Sequence, residues 1–325
     1  MSTLSEAPRT APRPDGTPDA TCDVAIVVVT FNSAAHLDGL LASFDPALGD
    51  LSYRVVVIDN NSSDDTVARL RADRRAEVVR RLDNRGFAAA VNIGLAHTAG
   101  ATAILILNPD LALGAGCVPT LLAASRERGV GIVVPQMRTT AGAIFRSLRR
   151  EPTVGRALGA AVMGGRFASR FPGLSETIGD DGSYQTAADV DWATGAAMLV
   201  TRECAEGTGP WDESFFLYSE ETDFAYRARR AGFRVRFEPA AAVTHTGGDG
   251  MASPRLRSMI ALNRVRYFRR RHGPARSAAF YSSVLLNELS RGATGNRAAR
   301  AAAIALVSPR SRPQELACSS HLLPR

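Results

Sequence analysis

Between positions 24 and 29 the chain runs Val-Ala-Ile-Val-Val-Val, apolar throughout and β-branched except at Ala25. A half-buried strand would alternate; an unbroken run predicts a strand covered on both faces. Leu37, Leu40, Leu41 and Phe44 follow at helical spacing, with Asn32 or Ser33 as the expected cap. The pattern then repeats: a strand at 54–58, a helix from about Asp65, a short strand at 78–82 and an alanine-rich helix at 88–98. A buried strand at 103–107, another helix and a strand at 130–134 complete it. This alternation predicts an α/β fold with a mostly parallel central sheet and helices on both faces.

Polar residues gather where the predicted strands end, at Thr30–Asn32, Asp59–Asn61 and Asn108–Asp110. Open α/β sheets bind ligands at those ends, so the N-terminal half reads as a nucleotide-type site. From 139 to 188 the periodicity fades and Gly, Arg and Pro accumulate, which predicts a flexible, acceptor-facing excursion. Order returns over 190–201, followed by a helix near 219–231 and a strand at 233–237, before His245-Thr246-Gly247-Gly248. Beyond Ser253 the pattern is helical, basic and alanine-rich. The expected organisation is a disordered Pro/Ala/Thr-rich tail over 1–21, one domain over 22–250 and a basic helical extension over 251–325.

Composition narrows the chemistry. All 39 basic residues are arginine, so the chain has no lysine for a Walker-type phosphate loop or a Schiff base. Residues 241–325 hold 14 arginines against Asp249, Glu288 and Glu315, whereas the rest of the chain is mildly acidic. Such a tail suits an anionic partner. Within it, 255–276 sets Leu256, Met259, Ile260, Leu262, Val265 and Phe268 among arginines, an amphipathic helix suited either to an anionic membrane or to packing on the core with its arginines solvated. Sparse aromatics and the lack of a zinc-finger or helix-turn-helix pattern argue against specific nucleic-acid binding. Four widely spaced cysteines read as ordinary thiols. With no signal-type apolar segment and no run of about 18 apolar residues, the chain is expected in the cytoplasm, peripheral at the inner face of the plasma membrane.

Asp110 closes a buried strand directly after Asn108-Pro109, where proline forces the chain to turn. That placement suits a carboxylate for a divalent cation on phosphate oxygens, and equally an ordinary turn Asp. Asp59 and Asn60 occupy the equivalent place one strand away, suited to a base or ribose edge or to Asx-turn chemistry. On a helix starting near Ser219, Glu220, Asp223, Arg227 and Arg230 form a polar stripe, while Glu221 falls with Phe224, Ala225 and Ala228 on the apolar side. A desolvated carboxyl has a raised pKa, as a general base requires; the alternative for Glu221 is an acid favoured by the helix dipole. His245 gains meaning only if it converges with Asp110.

Several stretches together resemble the family 2 inverting glycosyltransferases of the Rossmann-like GT-A fold, in particular their rhamnosyltransferase-like branch. They are Val-Val-Val-Thr-Phe-Asn (27–32), Val-Ile-Asp-Asn-Asn-Ser-Ser-Asp (57–64), Asn-Arg-Gly-Phe-Ala-Ala-Ala-Val-Asn (84–92) and Leu-Asn-Pro-Asp (107–110). Thr-Gly-Ala-Ala-Met-Leu-Val (194–200), the stretch from Trp211 to Arg227, and His245 continue the match. The resemblance implies that Thr30, Asn32, Asp59 and Asn60 contact the donor's base and ribose, and that Asn84, Gly86, Phe87 and Asn92 shape its pocket. Asp110 corresponds to the metal-binding acid of an Asp-x-Asp motif, with Asn108 in place of the first Asp, and His245 to a second ligand for Mn2+ or Mg2+. Glu221 stands where the family carries its aspartate base. Trp192, Gly195, Glu220, Asp223 and Arg227 are expected on the acceptor side or supporting that helix. The implied reaction moves L-rhamnose from dTDP-rhamnose to a glycan or lipid-linked hydroxyl in cell-wall or polysaccharide biosynthesis. A UDP-sugar donor of the galactofuranosyl type, or a nucleotide-sugar-binding protein without catalysis, remains the alternative.

Overall fold

The computed structural model describes residues 21–247 and 253–316. The tail over 1–20, the join at 248–252 where the basic extension was expected to begin, and 317–325 lie outside the described residues. The elements begin with β1 (Cys22–Thr30), α1 (Leu37–Leu48), β2 (Tyr53–Asp59), α2 (Thr66–Ala72), β3 (Ala76–Arg80), α3 (Phe87–Ala96) and β4 (Ala101–Leu107). They continue with β5 (Leu111–Leu113), α4 (Cys117–Ser125), β6 (Val130–Thr139), β7 (Leu148–Arg149), α5 (Val154–Met163), α6 (Gly165–Ala168), β8 (Ala188–Val190), β9 (Trp192–Ala193) and β10 (Ala197–Thr201). The last are α7 (Arg202–Thr208), α8 (Glu220–Arg230), β11 (Arg234–His245), α9 (Pro254–Arg269), α10 (Pro274–Ala293) and α11 (Arg297–Val307).

The main sheet runs in the order β3-β2-β1-β4-β10-β6-β11-β5, with β8 beside β11. From β3 to β4 it is parallel, as the apolar runs predict. β10 then enters antiparallel to both β4 and β6, and β5 antiparallel to β11. Register opposes Thr30 to Asp59 and Val28 to Leu107, so the polar ends of β1, β2 and β4 reach the same edge. Alternation within β1 sorts the core: Val24, Ile26 and Val28 pack with α1 and α4, whereas Val27 and Val29 pack with α3 and α8.

Three expectations need correction. The 139–188 stretch, read as an excursion without periodicity, carries β7, α5 and α6. Thr153 caps α5 by accepting from the Arg156 N–H, and Ala157 with Val154 joins the cluster formed by α9, α10 and α11. The order expected over 190–201 is not one continuous segment but three short strands, broken at Asp191 and around Gly195. The amphipathic helix expected over 255–276 is α9 followed by a break before α10, and its apolar side is not free. Met259, Leu262, Val265 and Phe268 are buried in that cluster, and Arg257 and Arg266 are buried with them. The membrane contact expected through 255–276 therefore lacks the exposed face it needs. No helix of the described residues is long and apolar enough to cross a membrane.

Candidate active site

At the end of β2, Asp59 is fully buried and accepts from the Thr30 hydroxyl (3.0 Å), the Ser62 hydroxyl (2.5 Å) and the Ser62 N–H (2.9 Å). Thr30, itself buried, acts through Asp59 rather than facing a ligand. Asn32 adopts a left-handed φ of 50°, donates its N–H to the Ser62 hydroxyl oxygen (2.8 Å) and accepts the Ser63 N–H on its amide oxygen (2.8 Å). It thus ties the two strand ends together instead of capping α1, which starts later at Leu37. Asn60 donates its amide to the Gly86 carbonyl (3.1 Å), and its Oδ1 is buried with no hydrogen-bond partner, an acceptor left for a ligand donor.

The opposite wall of this end is the turn before α3. Asn84 accepts from the Gly86 N–H (3.0 Å), and the Phe87 N–H donates to the Phe216 carbonyl (2.8 Å). Gly86 has a φ of 92°, and a Cβ there would lie 2.1 Å from the Phe216 oxygen, so this approach requires glycine. Asn92 departs from its expected role. Its amide accepts from the Trp211 N–H (2.8 Å) and donates to the Trp211 carbonyl (2.9 Å) and Glu213 (3.0 Å), which leaves it a brace for the 211–213 loop.

Asp110 and His245, distant in sequence, meet because β5 pairs with the end of β11, opposing Leu111 to His245. The His245 Nε2 lies 3.2 Å from Asp110 Oδ2. Burial works to raise the Asp110 pKa, but the hydrogen bond and charge of His245 outweigh it and hold the carboxyl below its ordinary value. Among the described residues Asp110 Oδ1 is buried without a partner, and a Cβ at Gly247 would lie 1.8 Å from Oδ2. An ionised oxygen left open beside an imidazole fits a divalent cation completed by ligand oxygens. Among the described residues no group of three or more His, Cys, Asp or Glu side chains converges, so such a cation would take most of its ligands from phosphates and water. Asn108 contributes its backbone, donating to the Ala196 carbonyl (2.8 Å).

The third component is the start of α8. Tyr218 and Ser219 both adopt left-handed φ, 70° and 72°, a strained entry that sets the first residues of the helix. Glu220 is buried, while Glu221 is partly open to solvent. Burial pushes the pKa of Glu221 up, and hydrogen bonds from the helix N-terminus and the charge of Arg149 offset only part of this. Glu220 is pushed up further by burial and by the charge of Glu221. Each keeps a buried Oε2 with no hydrogen-bond partner. The projection is not followed by burial: Glu220 and Asp223, from the polar stripe, are buried, and Arg271 from the turn after α9 pairs with Asp223, whereas Glu221 is partly open. Asp223 pairs with Arg227 (2.7 Å) and Arg271, and Arg227 donates to the carbonyls of Thr208 (2.8 Å) and Pro210 (2.9 Å). Both support the helix.

Gly195 lies against the base candidate. A Cβ there would sit 3.1 Å from Glu221 Cβ, so the break between β9 and β10 lets the chain pass under this carboxyl. Trp192 pairs with Arg149 in the β7–β9 ladder and donates its indole N–H to the Arg150 carbonyl (3.1 Å). The sequence did not point to the residues that hold the strained turn. Asn263, fully buried on α9, donates to the carbonyls of Leu217 (2.9 Å) and Tyr218 (3.2 Å). Arg266 and Arg270 bind Ser214, Arg270 also reaching Asp212. Their only signal was an excess of arginine, which reads as solvated charge.

Residues 25–182 match the family described as Glycosyl transferase family 2. The chain is 31% identical over 234 residues to an N-acetylglucosaminyl-diphospho-decaprenol L-rhamnosyltransferase of Mycobacterium tuberculosis, covering 68% of this chain and 75% of the relative. It is 26% identical over 220 residues to the low-salt glycan biosynthesis hexosyltransferase Agl10 of Haloferax volcanii, covering 66% and 64% respectively. Its fold is similar to a mannosyltransferase of Pyrobaculum calidifontis solved with GDP-Man and Mn2+, with a TM-score of 0.51 at 18% identity over 95% of this chain and 87% of that one. The chain belongs to the family 2 glycosyltransferases and has their GT-A fold.

Proposed function

We propose that the protein transfers L-rhamnose, with inversion, from dTDP-rhamnose to a hydroxyl of a lipid-linked diphosphate saccharide in cell-wall or polysaccharide biosynthesis. The observation that carries the reaction type is the pair of opposed carboxyl environments: Asp110 held ionised beside His245, and Glu221 pushed up by burial and partly open. Asn32, Asp59 and Asn60 hold or position the donor's nucleoside, with the free Asn60 Oδ1 as a hydrogen-bond acceptor. Asp110 and His245 hold Mn2+ or Mg2+, whose role when bound is to neutralise charge on the leaving diphosphate. Glu221 takes the proton of the acceptor hydroxyl while that oxygen attacks the anomeric carbon opposite the departing nucleotide. Its pKa, raised by burial, makes it a stronger proton acceptor than an ordinary glutamate.

The sugar and the acceptor rest on the similarity to the rhamnosyltransferase, and a lipid-linked acceptor would be met at a membrane surface. A direct assay offers dTDP-rhamnose, UDP-galactose, UDP-galactofuranose or GDP-mannose, each with Mn2+ or with chelator, to an N-acetylglucosaminyl-diphosphate lipid. Metal-dependent labelling of the lipid from dTDP-rhamnose alone is expected. Labelling from UDP-galactofuranose alone would replace the donor, and turnover only onto soluble glycans would overturn the lipid acceptor.

A further inference from the structure

The apolar surface missing from α9 is found elsewhere. On α5, α6 and the turn after them, Leu158, Val162, Met163, Phe167 and Phe171 are between 39% and 70% exposed. Exposed leucines scattered singly are ordinary, but a run of large apolar side chains this dense marks a contact surface. Leu158 and Val162 are one turn apart on α5, and the Phe167 and Phe171 rings pair at 5.5 Å. α5 packs along α10, which exposes Leu286 and Leu289, and the Arg291 guanidinium at the end of α10 comes within 3.1 Å of a Cβ at Gly165.

The charges on these helices are basic, with Asp180 and Asp181 exposed at their edge, beside Gly179, whose N–H donates to the Ser169 carbonyl (3.2 Å). From 152 to 175 the sequence has Arg156, Arg166 and Arg170 and no acid. On α10 and α11 the only acid is Glu288, which is buried against Arg257 at 2.6 Å, while Arg276, Arg297 and Arg300 are exposed. A second copy of the chain would bring arginine against arginine on such a face. A bilayer with anionic headgroups offers phosphates to the guanidinium groups and an apolar boundary to the rings. The face also adjoins the acceptor side of the site, since α5 follows within a few residues of β7, and β7 pairs with β9 just ahead of Gly195 and Glu221.

We propose that the outer face of α5 and α6, with the adjoining part of α10, docks this protein onto an anionic membrane surface. The proposal supplies a place for the lipid-linked acceptor named above, but it stands on exposure and charge and does not depend on which sugar is moved. Flotation of the full chain with vesicles tests it without donor or acceptor, so it separates from any failure of the rhamnosyl assay. The chain should float with phosphatidylcholine vesicles containing about 30% phosphatidylglycerol and about fivefold less with phosphatidylcholine alone. The Val162→Asp/Phe167→Asp/Phe171→Asp variant should lose about tenfold of the bound fraction, with an unchanged melting temperature as the folding control. Arg166→Glu/Arg170→Glu should lose only the anionic preference, and Leu82→Asp, at another exposed apolar position, should float like the wild type. No flotation of the wild type, or equal flotation of the triple variant, would overturn the proposal. So would a triple variant that only converts a dimer to a monomer in sedimentation.

Discussion

The two ends of the site treat their carboxyl groups in opposite ways. At the β4–β11 end, Asp110 is partly buried, yet an imidazole at 3.2 Å keeps its pKa below the ordinary value. At the start of α8, Glu220 and Glu221 stand with no cation paired to them closely enough to reverse the effect of burial. The difference separates the roles. A group that must stay charged to hold a cation is given a partner, and a group that must accept a proton is denied one. The arginines follow the same division. Those of α9 and its C-terminal turn brace the 212–219 loop from behind, leaving the two glutamates unpaired.

Removing the partnered end should have the larger effect on binding. Asp110→Ala is expected to weaken nucleotide affinity in Mn2+ by about 100-fold and to abolish the difference between Mn2+ and chelator. A titration that still responds to Mn2+ would remove Asp110 from the cation site. At the unpartnered end, Gly195→Ala pushes on Glu221 through a contact of 3.1 Å. It should lower kcat about tenfold at unchanged nucleotide Kd, because a displacement of a few tenths of an ångström falls on the base and not on the donor. Loss of affinity without loss of kcat would contradict this.

The smallest effect is on stability. The folded-state pKa of Glu220 is raised, so the stability it contributes is complete below its unfolded pKa and is lost as the pH rises through the folded one. Above the unfolded value, holding this carboxyl in its buried site therefore costs the wild type stability that glutamine does not lose. Glu220→Gln should raise Tm at pH 8 by about 2–6 °C, with the gap closing toward pH 4.5. A Tm lower at both pH values would mean that Glu220 is held by a partner in its ionised form.

The parallel half of the fold was legible because β1, β2 and β4 are continuous apolar runs ended by polar residues, a pattern with few alternatives. Asp110 with His245, and Glu221, were legible from motif resemblance. The parts that escaped depend on long-range pairing. Nothing local distinguishes Arg266 of α9, which is buried against the Ser214 carbonyl, from Arg166 of α6, which faces water. Asn263 in a helix gives no hint that it holds two carbonyls of a left-handed turn 45 residues earlier. Thr30 and Asn92 were expected at the donor, yet both spend their polar atoms on the protein itself. A strand-end residue type indicates location more reliably than it indicates contact.

The most direct test of the division of labour is Glu221→Gln, read at once by transfer kinetics and by nucleotide titration in Mn2+. Loss of kcat by about 10² to 10⁴-fold with nucleotide Kd unchanged is expected, along with loss of the acidic limb of the wild-type pH–rate profile, which lies above the ordinary glutamate range. A variant that keeps wild-type turnover, or one that loses nucleotide affinity in proportion to its rate, would contradict Glu221 as the base.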